Sequence, residues 1–112
     1  MKIAVPVAGG QVCPHFGHCE QFEIFEIDPA RKAVVMREAH TPPPHEPGVL
    51  PRWLSEKGAT VVIAGGMGMR AQQFFQQYGI QVVVGAPGEH PQTVALSWLK
   101  GELKTGANVC DH

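Results

Sequence analysis

Val61-Val62-Ile63-Ala64-Gly65-Gly66-Met67-Gly68-Met69-Arg70 decides the fold. Its first four residues are apolar and mostly β-branched, and read as a short strand buried on both faces. Gly65, Gly66 and Gly68 then turn the chain. Ala71, Phe74, Phe75 and Tyr78 follow at i, i+3, i+4 and i+7, one stripe of a helix that Gly79 stops. Strand, glycine loop and helix start direct backbone N–H groups and a positive helix end at one spot, where an anion is the natural occupant. Arg70, in the first helical turn, adds a charge-assisted donor. Met67 and Met69 are either soft thioether ligands or the cover of a pocket. The pattern is neither G-x-G-x-x-G nor a P-loop, which needs Lys and Ser/Thr after the glycines. The competing reading is a tight turn whose glycines serve packing alone.

Working outward, Lys2 to Val7 alternate as a strand with Ile3, Val5 and Val7 on one face. Pro6 suits the exit of that strand, because proline cannot donate to a ladder. Ala8 to Gln11 is a glycine-containing loop. Phe22 to Ile27 and Ala33 to Ala39 form an antiparallel hairpin around the turn Asp28-Pro29-Ala30-Arg31. Four prolines between His40 and Gly48 exclude helix and inner strand there. Leu50, Trp53 and Leu54 mark a short amphipathic helix closed by Gly58. Ile80 to Val84 is the last strand. Pro91 starts a final helix with Val94, Ala95, Trp98 and Leu99 inward, and Gly101 ends it before a loose tail. The order β-β-β-α-β-α-β-α implies one α/β domain, residues 1–112, with a mixed five-stranded sheet. If the first strand lies parallel to Val61–Ala64, the Cys13–Cys19 and Gly65–Arg70 loops face each other beyond the carboxyl ends of those strands.

Bulk properties narrow the function. The chain has 112 residues and a formal net charge of −1, so it carries no electrostatic footprint for nucleic acid or anionic lipid. Its apolar runs fall short of a membrane span, and its start lacks the extended apolar region of an export signal. Cytoplasm is the expected compartment, and the three cysteines read as thiols rather than a disulfide framework.

Cys13-Pro14-His15-Phe16-Gly17-His18-Cys19 puts two thiols and two imidazoles within seven residues, a donor set for a borderline or soft metal. It has no C-x-x-C and matches no zinc finger, and Cys19 also reads as a small core residue at the start of the next strand. Cys110-Asp111-His112 is a second thiol–imidazole pair, on a tail able to fold over a site or simply to fray. His40 and His45 flank a proline loop, where solvated histidines are common. His90 adjoins the cap of the last helix. No Ser/His/Asp set or spaced carboxylate pair appears, and a Cys–His nucleophile from Cys13 and His15 has no identifiable substrate pocket.

Met1-Lys2-Ile3-Ala4-Val5-Pro6-Val7, His15-Phe16-Gly17-His18 and Val62-Ile63-Ala64-Gly65-Gly66-Met67-Gly68-Met69-Arg70-Ala71 occur in an order that resembles the dinitrogenase iron–molybdenum cofactor biosynthesis family. That family includes nitrogenase cofactor carriers and the small molybdenum–copper orange protein. The resemblance covers nearly the whole chain, and a proline at position 6 is common in the family. It implies a ribonuclease H-like three-layer fold without nuclease activity, and a role in holding or carrying an anionic metal–sulfur cluster: iron–sulfur, an iron–molybdenum–sulfur precursor, or molybdenum–copper–sulfur. It implies cluster-assembly or cluster-acceptor proteins as partners of a monomer or homodimer. The family's HFG block falls on His15, Phe16 and Gly17, and its glycine loop on Gly65, Gly66 and Gly68. Many relatives have Arg after that block where this chain has His18 and then Cys19, and Cys13 and Cys110 are thiols that not every member has. The expected reading is a carrier, with the cluster on Gly65–Arg70 and Cys13, His15, His18, Cys19, Cys110 and His112 as candidate ligands. A Cys13–His15 thiol or redox enzyme and a zinc-stabilised interaction module are the alternatives.

Overall fold

The computed structural model describes residues 1–106 apart from 45 and 47. Its strands are β1 (Lys2–Ala8), β2 (Gln11–Val12), β3 (Gln21–Asp28), β4 (Ala33–His40), β5 (Val61–Ile63) and β6 (Gln81–Val83). Its helices are α1 (Val49–Glu56), α2 (Met69–Gln77) and α3 (Pro91–Leu99), with a 3₁₀ turn at Phe16–His18. The sheet runs β4-β3-β1-β5-β6, with β2 also paired to β1. β1 is antiparallel to β3, and β3 to β4, whereas β1, β5 and β6 are mutually parallel neighbours. The expected mixed sheet is therefore present, with β1 at its centre.

Alternation along the strands explains the layers, since successive side chains point to opposite faces. Ala4, Phe22, Ile24 and Val62 pack with Leu50 and Leu54 of α1 and Phe75 of α2. Ile3, Val5, Phe25, Val61 and Ile63 pack with Val94 and Ala95 of α3 on the other face. Helices thus cover both faces of one sheet. Phe22, Leu54 and Phe75 are fully buried, and burial of each such side chain is worth about 1.5–3 kcal/mol.

Local chemistry sets the boundaries. Gly58, Gly79 and Gly101 stand just beyond the three helix ends at φ 85°, 69° and 73°, the left-handed geometry that closes a helix cheaply. Asp28 Oδ1 accepts from the amides of Ala30 and Arg31 at 3.0 and 3.3 Å, which folds the β3–β4 turn. Opposite Glu26 and Ile27 the register skips Val35, a bulge that bends β4 at the sheet edge.

Three expectations are corrected. Ala8 to Gln11 is a β-hairpin and not a loop: Gly9 and Gly10 lie at φ 62° and 78°, the positive pair that a two-residue turn of type I′ requires, and β2 follows. The element order accordingly gains a short strand. Pro6 sits inside β1 rather than at its exit. Its carbonyl accepts from Cys13 at 2.9 Å. A strand residue presents N and O to the same side, so its missing N–H falls where β1 changes neighbour, after its last registered pair with β5 at Ala4. Tyr78 is 42% exposed, so the stripe of α2 buries Phe75 and leaves Tyr78 at the surface.

Candidate functional site

Because β1, β5 and β6 are parallel, the segments that follow them emerge at one edge of the sheet. Backbone hydrogen bonds stitch these segments together. Ala64 N–H donates to Val83 at 2.8 Å, Ala86 to Ala64 at 3.1 Å, Gly85 to Gly65 at 2.8 Å, and Val12 to Glu89 at 2.9 Å. Between them lies a cleft of about 400 Å³, lined by Ala8, Gln11, Val12, Pro14, Gly65, Ala86 and Gly88.

The two segments expected to meet do meet. Gly65 is buried beneath Cys13–Pro14, and a Cβ there would stand 3.0 Å from the Cys13 carbonyl oxygen and from Pro14 Cα. Phe16 N–H donates to the Gly66 carbonyl at 3.0 Å. The Phe16 ring meets Phe22 and Phe75 edge-on, with centroids 5.7 and 5.4 Å away. That anchor fixes the whole Cys13–Cys19 segment against the sheet, since such aromatic pairs are worth about 0.5–1.5 kcal/mol beyond their burial. None of Gly65, Gly66 and Gly68 is at positive φ among the described residues. Gly65 is required by the close approach of Cys13–Pro14, a packing role. Gly68 is the N-cap of α2, extended at φ −65°, ψ 155°, and no side chain caps that helix.

The donor side chains are distributed as follows. Cys13 is 2% exposed, and its thiol donates to the His15 carbonyl at 3.0 Å. His15 is exposed at the N-cap of the 3₁₀ turn. His18 closes that turn, and its side chain lies outside the described set. Cys19 is half-buried against the α1/α2 core. Burial, together with the neighbouring Cys13, pushes its thiol up to about 11, against a weaker lowering by a hydrogen bond from its own backbone. Cys13 and Cys19 thus lie on either side of the Phe16–His18 turn. Among the described residues, no three His, Cys, Asp or Glu side chains gather in a metal-binding group. Cys110 and His112 lie outside the described residues, as does His45.

Two loop residues go elsewhere than expected. Met67 is fully buried in the core cluster that includes Phe16 and Phe75, so its side chain packs the fold. Arg70 is exposed, with its guanidinium 5.9 Å from the Phe74 ring. It lines a separate groove of about 160 Å³ between α1 and α2, which shares no lining residue with the cleft. Met69 is 55% exposed. His40 pairs with Glu38 at 3.2 Å on the edge strand, and His90 is itself the cap of α3, its Nδ1 accepting from Gln92 N–H at 3.3 Å. Sequence reasoning missed Ala86 and Gly88. Their signal was present: Gly85-Ala86-Pro87-Gly88 is a second glycine loop after a parallel strand.

Comparison with known proteins agrees with this architecture. Residues 1–101 match the family described as dinitrogenase iron-molybdenum cofactor. An uncharacterised protein of Methanocaldococcus jannaschii, MJ0580, is 28% identical over 107 residues, 93% of this chain and 90% of its own. The crystal structure of PH0822 superposes with a TM-score of 0.85 at 31% identity, covering 94% of each chain. The apo form of the orange protein from Desulfovibrio gigas superposes with a TM-score of 0.74 at 27% identity, over 96% of this chain and 93% of its own.

Proposed function

The chain belongs to the dinitrogenase iron-molybdenum cofactor family, and from that premise we propose that it binds and carries an anionic metal–sulfur cluster. The cargo is an iron–sulfur, iron–molybdenum–sulfur or molybdenum–copper–sulfur species. It docks at the sheet edge beyond β1, β5 and β6, where Gly65 lines the cleft and Gly66 and Gly68 carry the loop on to the uncapped start of α2, with Cys13, His15, His18 and Cys19 as candidate ligands. The carrying observation is the seat of Cys13–Pro14 on Gly65, which puts a thiol- and imidazole-bearing segment and the glycine loop on one cleft.

The residues present fit such a cargo. A cleft of about 400 Å³ is within the usual size of small-molecule sites, roughly 300–1,000 Å³. Its lining includes Ala8, Gly65, Ala86 and Gly88, small residues whose backbone an anionic cluster can approach closely. Thiols and imidazoles suit soft and borderline metals. They are few and dispersed here, which suits a cluster that arrives assembled better than a bare ion needing about four converging donors. Cys13, 2% exposed and donating to a backbone carbonyl, is not presented as a nucleophile, so carriage is favoured over thiol catalysis. We read the three layers as ribonuclease H-like, the compartment as cytoplasmic, and the partners as cluster-assembly or cluster-acceptor proteins that meet a monomer or homodimer. No described helix is long and apolar enough to cross a membrane.

The test is anaerobic reconstitution of wild type, Gly68→Val and His15→Ala with iron, molybdate, copper and sulfide, followed by gel filtration. Gly68 has backbone angles open to any residue and His15 is exposed, so both variants should keep the wild-type far-UV spectrum and lose most of the co-eluting visible absorbance. Wild-type retention by both would remove the loop and His15 from the site.

A further inference from the structure

We propose that the groove between α1 and α2 is a docking site for a partner protein, which enters it with one large apolar side chain and one carboxylate beside that side chain. Phe16, Leu50, Pro51 and Phe74 line a volume of about 160 Å³ there. An apolar cavity of about 150 Å³ holds one benzene-sized group, so the groove takes a single aromatic or large aliphatic side chain. Sites for whole small molecules run to roughly 300–1,000 Å³. Gly48 keeps the groove open. It leads into α1 at φ 81°, and a Cβ there would stand 3.3 Å from the Phe74 ring.

Charge then selects the occupant. Arg70 and Glu46 also line the groove, and among the described residues neither is in an ion pair. Arg70 is the only charged residue in α2. Its guanidinium lies 5.9 Å from the Phe74 ring, and a guanidinium held over a ring still offers its N–H edge to a carboxylate. Glu46, on the segment entering α1, repels a run of anions, so the partner brings one carboxylate rather than an acidic stretch. Arg70, Phe74 and Tyr78 follow at intervals of four, a row along α2 and its cap in which Tyr78 is exposed. Arginine and aromatic residues are the types enriched in protein interfaces. Phe16 joins this groove to the candidate ligands, because it lines the groove while its amide donates to the Gly66 carbonyl at 3.0 Å. A seated partner therefore touches the segment that carries Cys13 and Cys19. That the partner gives or takes cargo rests on the carrier reading; the docking does not, and it is tested without cargo.

The experiment titrates the cargo-free, nitrogen-15-labelled protein with a capped peptide that holds phenylalanine beside glutamate between two glycines, in either order. The expected result is saturable movement of the Phe16, Leu50, Ala71 and Phe74 amide signals, with Val35 on β4 unmoved. Replacing the peptide's glutamate by lysine, or its phenylalanine by alanine, should weaken binding at least tenfold. Arg70→Gln should weaken it about three- to fivefold, and Glu46→Gln should tighten it. Both residues are exposed, so both variants should keep the wild-type far-UV spectrum. No saturable movement at these amides, an Arg70→Gln variant that binds like wild type, or a lysine peptide that binds as well as the glutamate one would overturn the docking site. Movement of the same amides with protein concentration alone would put a second copy of this chain in the groove and overturn the partner. Because no cargo is present, none of these failures touches the carrier reading, which stands or falls on the reconstitution described above.

Discussion

Gly65→Ala isolates the contact on which the site is built. A Cβ at 65 would lie 3.0 Å from both the Cys13 carbonyl oxygen and Pro14 Cα, and 3.3 Å from the Pro14 carbonyl oxygen. All three are backbone atoms, so no side chain can rotate away; the Cys13–Cys19 segment must shift. Overpacking of this kind costs about 1–3 kcal/mol, and Gly65 is not at positive φ, so packing supplies the whole cost. Against a total stability of roughly 5–15 kcal/mol, a loss of about 2 kcal/mol lowers Tm by roughly 8–10 °C at this size. Thermal denaturation followed by circular dichroism reads the stability. Hydrogen exchange of the Phe16 amide reads the displacement, because that amide donates to the neighbouring Gly66 carbonyl. Gly79→Ala is the control: it has φ 69° and no atom within 4 Å of the added Cβ, so only backbone strain of about 1–2 kcal/mol is expected, with Phe16 still protected. An unchanged Tm and a protected Phe16 amide in Gly65→Ala would refute the reasoning that this close approach holds the two segments together.

Phe75→Ala should destabilise the fold by about 3–5 kcal/mol, because Phe75 is fully buried and carries the edge contact with Phe16; a urea midpoint near wild type would contradict that packing. Cys19 should alkylate about a hundredfold more slowly at pH 8 in the native protein than in urea, since a thiol moved from 9.0 to about 11 has about a hundredth of the thiolate; equal rates would contradict its burial. The same shift sets a pH dependence. The unfolded thiol ionises first, so the contribution is intact below pH 9 and is lost as pH rises from 9 towards 11. Denaturant midpoints across that range should fall less in Cys19→Ala than in wild type.

Much of this molecule is legible in its sequence, for reasons that particular residues make plain. The run Val61–Ile63 is apolar on both faces because it lies between β1 and β6 with helices on either side. The meeting of Cys13–Cys19 with Gly65 follows from β1 and β5 being parallel, which fixes the edge at which both segments emerge. What stayed hidden depends on direction rather than periodicity. Met67 looks like a loop methionine, yet its side chain turns into the core. Arg70 starts α2 as expected but stacks on Phe74, one turn on, away from the cleft. Gly9-Gly10 gives no hairpin signal in the sequence because β2 is only two residues long, too short for alternation to register. The contact of Gly106 with Gly85 joins residues distant in sequence through backbone alone, and no side-chain pattern announces it.

The most direct test of the account is metal and acid-labile sulfide analysis, with a visible spectrum, on protein purified anaerobically. The account predicts a coloured protein holding iron, or molybdenum with copper, together with sulfide, at about one cluster per chain. A colourless protein containing zinc alone, or one that holds no metal even after anaerobic reconstitution with iron, molybdate, copper and sulfide, would contradict it.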